Sequence, residues 1–377
     1  MVENPGIFFT IFAFLLVIGP LVYVHEMGHY IAARMCGVRI ETFSIGFGRE
    51  IGGWTNKHGT RWKVGWLPLG GYVKFAGDMN AASQPDPKLS ELPAEDRKDL
   101  LQFKPVWQRF FIVAAGPLIN FVLAIFIYMI VFGSYGQPQN PAIVSSIVEG
   151  SAAQEAGFAL GDEIVSIDDR AIDRFGELAE IVTLRPDQPM EFGILRDGRQ
   201  IVVSATPEEQ WVEDRFGNRA RIGRLGIMSD AIEMQSVPFL SLPGAAITRM
   251  TSDLEMIVVG LRQIITGQRS VQELGGPLKI AQFSGQTASL GVYAFLMFMA
   301  LISVNLGFIN LLPIPMLDGG HLVFYAAEAV RRRPVGPEAQ EWAFRMGLVV
   351  LLGFMLMVTV IDLGSFGLWE RLSGLIS

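Results

Sequence analysis

Charge and cysteine are both scarce in this sequence. Of 377 residues, 18% are charged and one is a cysteine, Cys36, whereas an ordinary soluble domain is about a quarter charged. A single cysteine excludes a disulfide framework and any cysteine-rich zinc or iron–sulfur site. The net charge of −7 argues against a nucleic-acid partner, because phosphate binding needs a basic face. Apolar residues make up 50% of the chain and the mean hydropathy is +0.37, which indicates a membrane protein.

Four apolar stretches are long enough to cross a bilayer, which takes about 20 helical residues. They cover residues 7–24 (continuing to His29), 110–132, 292–312 and 346–361, and the last is the shortest. The first is expected to be a span and not a signal peptide, because its leader lacks Lys and Arg and no small-residue cleavage site follows.

Lysine and arginine concentrate in two loops, 34–109 and 322–345, the second of which carries three consecutive arginines. Basic loops mark the cytoplasmic side of a membrane. With four spans, both loops are expected in the cytoplasm, and both termini and the long acidic loop between the second and third spans are expected outside.

That long outer loop contains the pattern of a small mixed domain. Strands are predicted at 142–148, 163–167, 190–195, 200–204 and 225–227, and helices at 152–156 and 175–183, with an Asp197-Gly198 turn between the third and fourth strands. The run from Ser151 to Ile167 resembles bacterial PDZ domains, which bind peptide ends by strand addition. The alternative is a spacer domain that binds nothing.

The strongest chemical signal is His25-Glu26-Met27-Gly28-His29, at the end of the first span. Histidines four residues apart on a helix project from one face and can reach a single ion. Glu26 beside them suits the general base that activates a zinc-bound water. The alternative is that both histidines cap the helix at the membrane interface.

A catalytic zinc also needs a third protein ligand and an open position. The end of the third span offers Asp318, the one carboxylate in a long apolar run, and His321, three residues later. Pro313 and Pro315 break the helix before them. The residues themselves favour Asp318 modestly, and Asp318 as a helix cap stays an alternative.

Together these motifs resemble the site-2 protease family of intramembrane zinc metalloproteases, in the bacterial regulator of sigma-E protease branch. The resemblance covers nearly the whole chain. The known enterobacterial members carry two tandem PDZ domains, whereas this chain has room for one. The other family-like strings are Asn310-x-x-Pro313 with Leu317-Asp318-Gly319, residues 68–74, Gly116-Pro117-x-x-Asn120 and Gly275-Gly276-Pro277.

The resemblance implies one zinc ion per chain, held by His25, His29 and Asp318. It implies Glu26 as the general base. It also places Asn310 near the site, either as a donor to the developing oxyanion or as a helix–helix hydrogen bond.

The segment 38–75 has β character, with a turn-like Asn56-Lys-His58-Gly59 in its middle. The resemblance supports a membrane-associated β-loop that holds an extended substrate by strand addition. The alternative is an ordinary cytoplasmic hairpin anchored at the interface by tryptophans. The candidate substrate contacts are Trp62, Val64, Trp66, Gly70, Gly71 and Tyr72.

The predicted fold is a polytopic α-helical membrane protein with about four transmembrane helices, a membrane-associated β-hairpin or sheet and an inserted mixed α/β PDZ-like domain. The predicted segments are the first helix (1–36), the β-loop and a mobile loop (37–105, mobile over 76–100), the second helix (106–136), the PDZ domain (137–230), an interfacial amphipathic segment (231–290), the third helix with the Asp motif (291–321), and a cytoplasmic loop with the fourth helix (322–377).

The predicted function is intramembrane zinc endopeptidase activity in the bacterial inner membrane. By the resemblance, the substrates are single-pass proteins already shortened by another protease, such as an anti-sigma factor, or a remnant signal peptide. Two other classes stay open: a metal transporter that uses the histidines and Asp318 as an ion path, and a non-proteolytic scaffold whose PDZ domain recruits partners.

Overall fold

The computed structural model describes residues 5–78, 93, 97–213, 219–270 and 275–365. Most of the predicted mobile loop, 76–100, lies outside these residues. Within the described part, four helices are long and apolar enough to cross a membrane. They are α1 (Ile7–Met35), α2 (Val106–Tyr135), α7 (Val292–Leu311) and α9 (Pro337–Ser365).

The fourth span was predicted to be the shortest, and that prediction is wrong. Helix α9 has 29 residues, whereas α7 has 20. Its first turns carry Glu338, Glu341 and Arg345. These charges lower the local hydropathy, so a search for apolar runs misses about the first third of the helix.

The chain forms a long antiparallel hairpin after α1, as the β character of this segment predicts. Its strands are β1 (Ile40–Thr55) and β2 (Arg61–Phe75). Asn56 closes the turn, because its side-chain oxygen accepts from the N–H groups of His58 and Thr60 at 2.9 and 3.0 Å. The hairpin packs against α1.

The hairpin is folded so that β1 has neighbours on both sides. Phe43 is paired with Trp62 on one side and with Val73 on the other. The Phe43 ring also stacks on Trp62, with 4.3 Å between the ring centroids. Residues 71–75 therefore form an edge segment of this small sheet among the described strands.

This part of the chain also contains α5 (Leu242–Ile265), α6 (Pro277–Ser289) and α8 (Asp318–Arg331). Helix α6 packs against α1 and α7. Asp362 of α9 is fully buried and accepts from the N–H groups of Gly276 and Lys279, both at 3.2 Å. A carboxylate at this place satisfies the unpaired donors at the start of α6.

The third span does not continue to Asp318, although one segment 291–321 was expected. Helix α7 ends at Leu311, and Asp318 is the first residue of α8. Pro313 and Pro315 cannot donate backbone hydrogen bonds, and Met316 adopts a left-handed φ of 83°. The break turns the chain so that a new helix starts at the carboxylate.

Residues 132–238 form a second compact unit. Its main sheet has the order β6-β5-β7-β8, from β5 (Glu163–Ile167), β6 (Arg170–Ala171), β7 (Met190–Arg196) and β8 (Arg199–Ala205). Helices α3 (Ala152–Glu155) and α4 (Phe175–Thr183) accompany it. Side chains of the sheet and both helices, among them Phe192, share one apolar core.

Three two-stranded ladders surround this sheet. Strand β4 (Ser146–Ile147) pairs with β11 (Ile227–Met228), and β3 (Gln137–Gln139) with β12 (Glu233–Gln235). The predicted strand 142–148 is thus much shorter than expected, with an isolated bridge at Ile143. The third ladder, β9 (Glu208–Glu213) with β10 (Arg219–Arg224), was not predicted.

Asp162 and Arg196 make the second unit sensitive to acid. Asp162 is 1% exposed and receives hydrogen bonds from Arg196 Nε and Nη2, both at 2.7 Å, and from the Ala159 N–H at 2.8 Å. Burial opposes the charge on Asp162, but the hydrogen bonds outweigh it and hold the pKa of this carboxyl below its usual range. The stabilisation is therefore present above the unfolded-state pKa of about 3.9 and is lost as the pH falls through the folded-state value.

We expect Asp162→Asn to lower hydrogen-exchange protection of β5 about tenfold or more at neutral pH, since charge-assisted bonds are lost, and to flatten its acid dependence. The measurement is exchange in the full chain, corrected for intrinsic rates. Asp168→Asn is the matched control, because Asp168 pairs with Arg185 at the surface. Equal behaviour of the two variants would contradict the assignment.

Candidate metal centre

Helix α1 presents His25 and His29 one turn apart, and the start of α8 brings Asp318 to them. His25 and His29 are 8% and 7% exposed. Asp318 Oδ2 lies 3.2 Å from His25 Nε2 and 3.4 Å from His29 Nε2, and the two Nε2 atoms are 3.3 Å apart. The three ligand atoms therefore form a nearly equilateral triangle.

This triangle fits a single zinc ion. Tetrahedral ligands at zinc–nitrogen distances lie about 3.3–3.4 Å from one another. Asp318 Oδ2 is buried and has no hydrogen-bond partner among the described residues, as expected of an oxygen placed to meet a cation. Two imidazoles and one carboxylate are also the donor set of catalytic zinc sites with an open fourth position.

His321, the rival third ligand, is not one of the three converging residues. It lines the same cavity, but its ring lies against Phe344, with the ring centroids 4.9 Å apart.

The ring of His29 packs against α2 at Gly116, where no side chain stands in its way. A Cβ atom on Gly116 would lie 2.1 Å from His29 Nε2. His29 Nδ1 is 3.0 Å from the carbonyl oxygen of Ile112, one turn earlier. Nδ1 is then the protonated nitrogen, which leaves the Nε2 lone pair for a metal.

Gly116→Ala is expected to displace His29 and to lower zinc affinity by at least about tenfold. Loss of a hydrogen-bond partner of a metal-binding histidine already weakens metal binding by that much. Zinc content after dialysis against a weak chelator measures this. The matched control is Gly19→Ala in α1, where a Cβ meets nothing within 4 Å. Undiminished zinc in Gly116→Ala would contradict the role of this contact.

Glu26 lies beside the ligands and is 7% exposed. The backbone N–H of Val73 in β2 lies near its carboxylate. A Cβ on Gly71 would lie 2.9 Å from Glu26 Cγ, so the missing side chain lets the edge of the hairpin approach the carboxylate. Sequence reasoning did not foresee the Val73 contact, since backbone donors leave no residue signature.

The ligands and Glu26 line a cavity of about 360 Å³. Asn310 lines it too, and its Nδ2 donates to the Leu306 carbonyl of its own helix at 3.0 Å. The hairpin contributes Gly71 and Tyr72, two of the six candidate substrate contacts.

The structure places the other four candidate substrate contacts away from the cavity lining. Trp62 stacks in the hairpin between Phe43 and Trp54. Val64 and Trp66 are exposed by 44% and 62%, and Gly70 packs beside Phe47.

Comparison with known proteins gives the family of this chain. A family model described as "Peptidase family M50" matches residues 13–354. The chain belongs to peptidase family M50. The protein is accordingly a metalloprotease of the site-2 type, and zinc is the ion that the family implies. The match covers α1 with its two histidines and reaches past Asp318 into α9.

Two curated relatives of this M50 peptidase match it over almost their full length. The "Putative zinc metalloprotease Atu1380" of Agrobacterium fabrum is 42% identical over 93% of this chain and 95% of its own. "Metalloprotease MmpA" of Caulobacter vibrioides is 38% identical over 98% of this chain and 99% of its own. Among solved structures, the PDZ domain of the SdrC-like protein Lmo2051 from Listeria monocytogenes covers 24% of this chain and 88% of its own, at 15% identity and a TM-score of 0.19.

Proposed function

We propose that this M50 peptidase cleaves peptide bonds within or beside the transmembrane segments of single-pass membrane proteins. One observation carries the proposal: the His–His–Asp triangle, Glu26 and the edge of β2 share one cavity at the ends of apolar, span-length helices. Apolar helices of this length bury their backbone in lipid, so a site built on them is a site for a membrane substrate and not for a soluble one.

His25, His29 and Asp318 would hold the zinc ion, which polarises a carbonyl group and lowers the pKa of water when bound. Glu26 accepts the proton of the attacking water and returns it to the leaving amine. Asn310 has a second N–H beyond the one used on its own helix. That N–H donates to the substrate oxygen as it gains charge.

The edge segment of β2 holds the substrate in an extended form. A transmembrane substrate arrives as a helix, and its backbone groups need partners once it unwinds. Strand addition beside Gly71–Val73 would supply those partners next to Glu26. In this proposal Trp66 and Val64, on the exposed face of the hairpin, contact lipid or flanking substrate residues.

The proposed setting is the bacterial inner membrane, with both loops rich in Lys and Arg (34–109 and 322–345) in the cytoplasm and residues 132–238 outside. The outer unit excludes substrates that keep a bulky outer domain, and the substrate is therefore one already shortened by another protease. A peptide end bound to this PDZ-like unit is the alternative role.

The function is tested with purified protein in liposomes and two single-pass substrates, one with a long outer domain and one with a short outer stub. We expect zinc-dependent cleavage of the short form alone. Deleting residues 137–228 should allow both forms to be cut. Unchanged discrimination after the deletion would contradict the size filter, and zinc flux without cleavage of either form would favour a transporter.

A further inference from the structure

The Gly116-Pro117-x-x-Asn120 string of α2 contacts the metal centre twice, through Gly116 at His29 and through Asn120 at His25. Asn120 is fully buried, at 0% exposed, and its Nδ2 lies 3.1 Å from His25 Nδ1. Its other amide atom, Oδ1, is buried without a hydrogen-bond partner among the described residues. One amide atom of Asn120 thus has a hydrogen-bond partner and the other has none. Burying an unpaired polar atom costs free energy, so a buried asparagine at this position needs an explanation.

The protonation of His25 decides which amide atom faces it. His25 Nε2 is the atom directed at Asp318 and His29, so it must carry a lone pair to bind a metal. The proton of the neutral ring is then on Nδ1, which has to donate. An amide NH₂ cannot accept that hydrogen bond, whereas an amide oxygen can.

We propose that Asn120 is the positioning residue of His25, with its Oδ1 accepting from the His25 Nδ1–H. Turning the amide over places Oδ1 at the imidazole and the NH₂ group at the other position, and the His25 Nδ1–H decides between the two orientations, because amide nitrogen and oxygen are assigned from just such hydrogen bonds. The contact fixes the ring plane and raises the basicity of Nε2. This inference rests on zinc binding at the proposed site.

Helix α2 then supplies the outer partner of both imidazoles. The Ile112 carbonyl serves His29 and Asn120 serves His25. The backbone of Asn120 also contacts α7, since Ser303 Oγ donates to its carbonyl at 2.8 Å, but this contact does not involve the amide that faces His25. Helix α1 contributes the rings and α2 decides their orientation.

The test compares zinc affinity of the full chain in detergent by chelator competition, for the wild type and three variants. We expect Asn120→Leu to lower affinity by about 10–100-fold, the usual effect of losing an outer partner. Asn120→Asp should bind at least as tightly as the wild type, because a carboxylate also accepts from Nδ1–H. Ser303→Ala is the matched control, which loosens the α2–α7 contact but keeps the amide, and should bind normally.

Co²⁺ loaded in place of zinc gives a second readout, since its visible spectrum reports ligand geometry independently of activity. The spectrum should change in Asn120→Leu and stay the same in Asn120→Asp and Ser303→Ala. If Asn120→Leu fails to fold, judged by thermal unfolding, Asn120→Ala replaces it, with the same expectations.

Two results would overturn the proposal: undiminished affinity in the Leu or Ala variant, or an Asp variant as weak as Leu, since the amide would then be a donor. Wild-type protein that binds zinc but cleaves no substrate would contradict the proposed function and leave the role of Asn120 standing. Wild-type protein that binds no zinc would overturn both.

Discussion

Glu26→Gln is expected to abolish substrate cleavage while leaving zinc bound. The amide has nearly the shape of the carboxylate and can keep its place beside Gly71, but it cannot accept a proton from water. General-base catalysis contributes about 10²–10⁴-fold to a rate, so the rate constant should fall by at least that range. Single-turnover cleavage of a short single-pass substrate measures it.

Zinc content separates loss of the base from loss of the site. The Gln variant should hold as much zinc as the wild type, since Glu26 is not one of the three converging ligands. Glu41→Gln is a suitable control, because Glu41 pairs with Lys74 on the hairpin outside the cavity. Wild-type cleavage rates in Glu26→Gln would contradict the role of Glu26 as the general base.

Asp318→Asn is expected to lose both zinc and activity. Its amide oxygen is uncharged and binds a divalent ion far more weakly than a carboxylate, and two histidines alone leave the triangle open. The loss of affinity should exceed the roughly 10–100-fold cost of removing an outer partner. Metal analysis after dialysis measures it, together with cleavage.

His321→Ala is the matched variant for Asp318→Asn. It changes a residue of the same helix and cavity, but one whose ring packs on Phe344. It should keep its zinc. The reverse outcome, with zinc lost from His321→Ala and kept in Asp318→Asn, would make His321 the third ligand and refute the geometry described above.

The local features of the site could be predicted from the sequence because they depend on spacing within one helix. Two histidines four residues apart on an apolar helix must share a face, whatever surrounds them. The third ligand could not be settled in this way. The sequence is compatible with either Asp318 or His321. Which of the two side chains reaches the histidines depends on where α8 begins after the Pro313–Pro315 break.

Features that depend on packing between distant segments left no local signal. The α1–α2 approach at Gly116 and the Asn120 contact join residues 83 to 95 positions apart. The β9–β10 hairpin was missed for a different reason: β9 reads Glu-Glu-Gln-Trp-Val-Glu, which lacks the regular apolar alternation of a half-buried strand.

The three candidate zinc ligands come from opposite ends of the chain, and this has a consequence for biosynthesis. A nascent chain carries both histidines in its first hydrophobic segment, but it acquires Asp318 only after α2, residues 132–238 and α7 have been made. Until then two imidazoles cannot retain the ion that a three-ligand site holds. The growing polypeptide therefore has no complete His–His–Asp site until Asp318 has been synthesised.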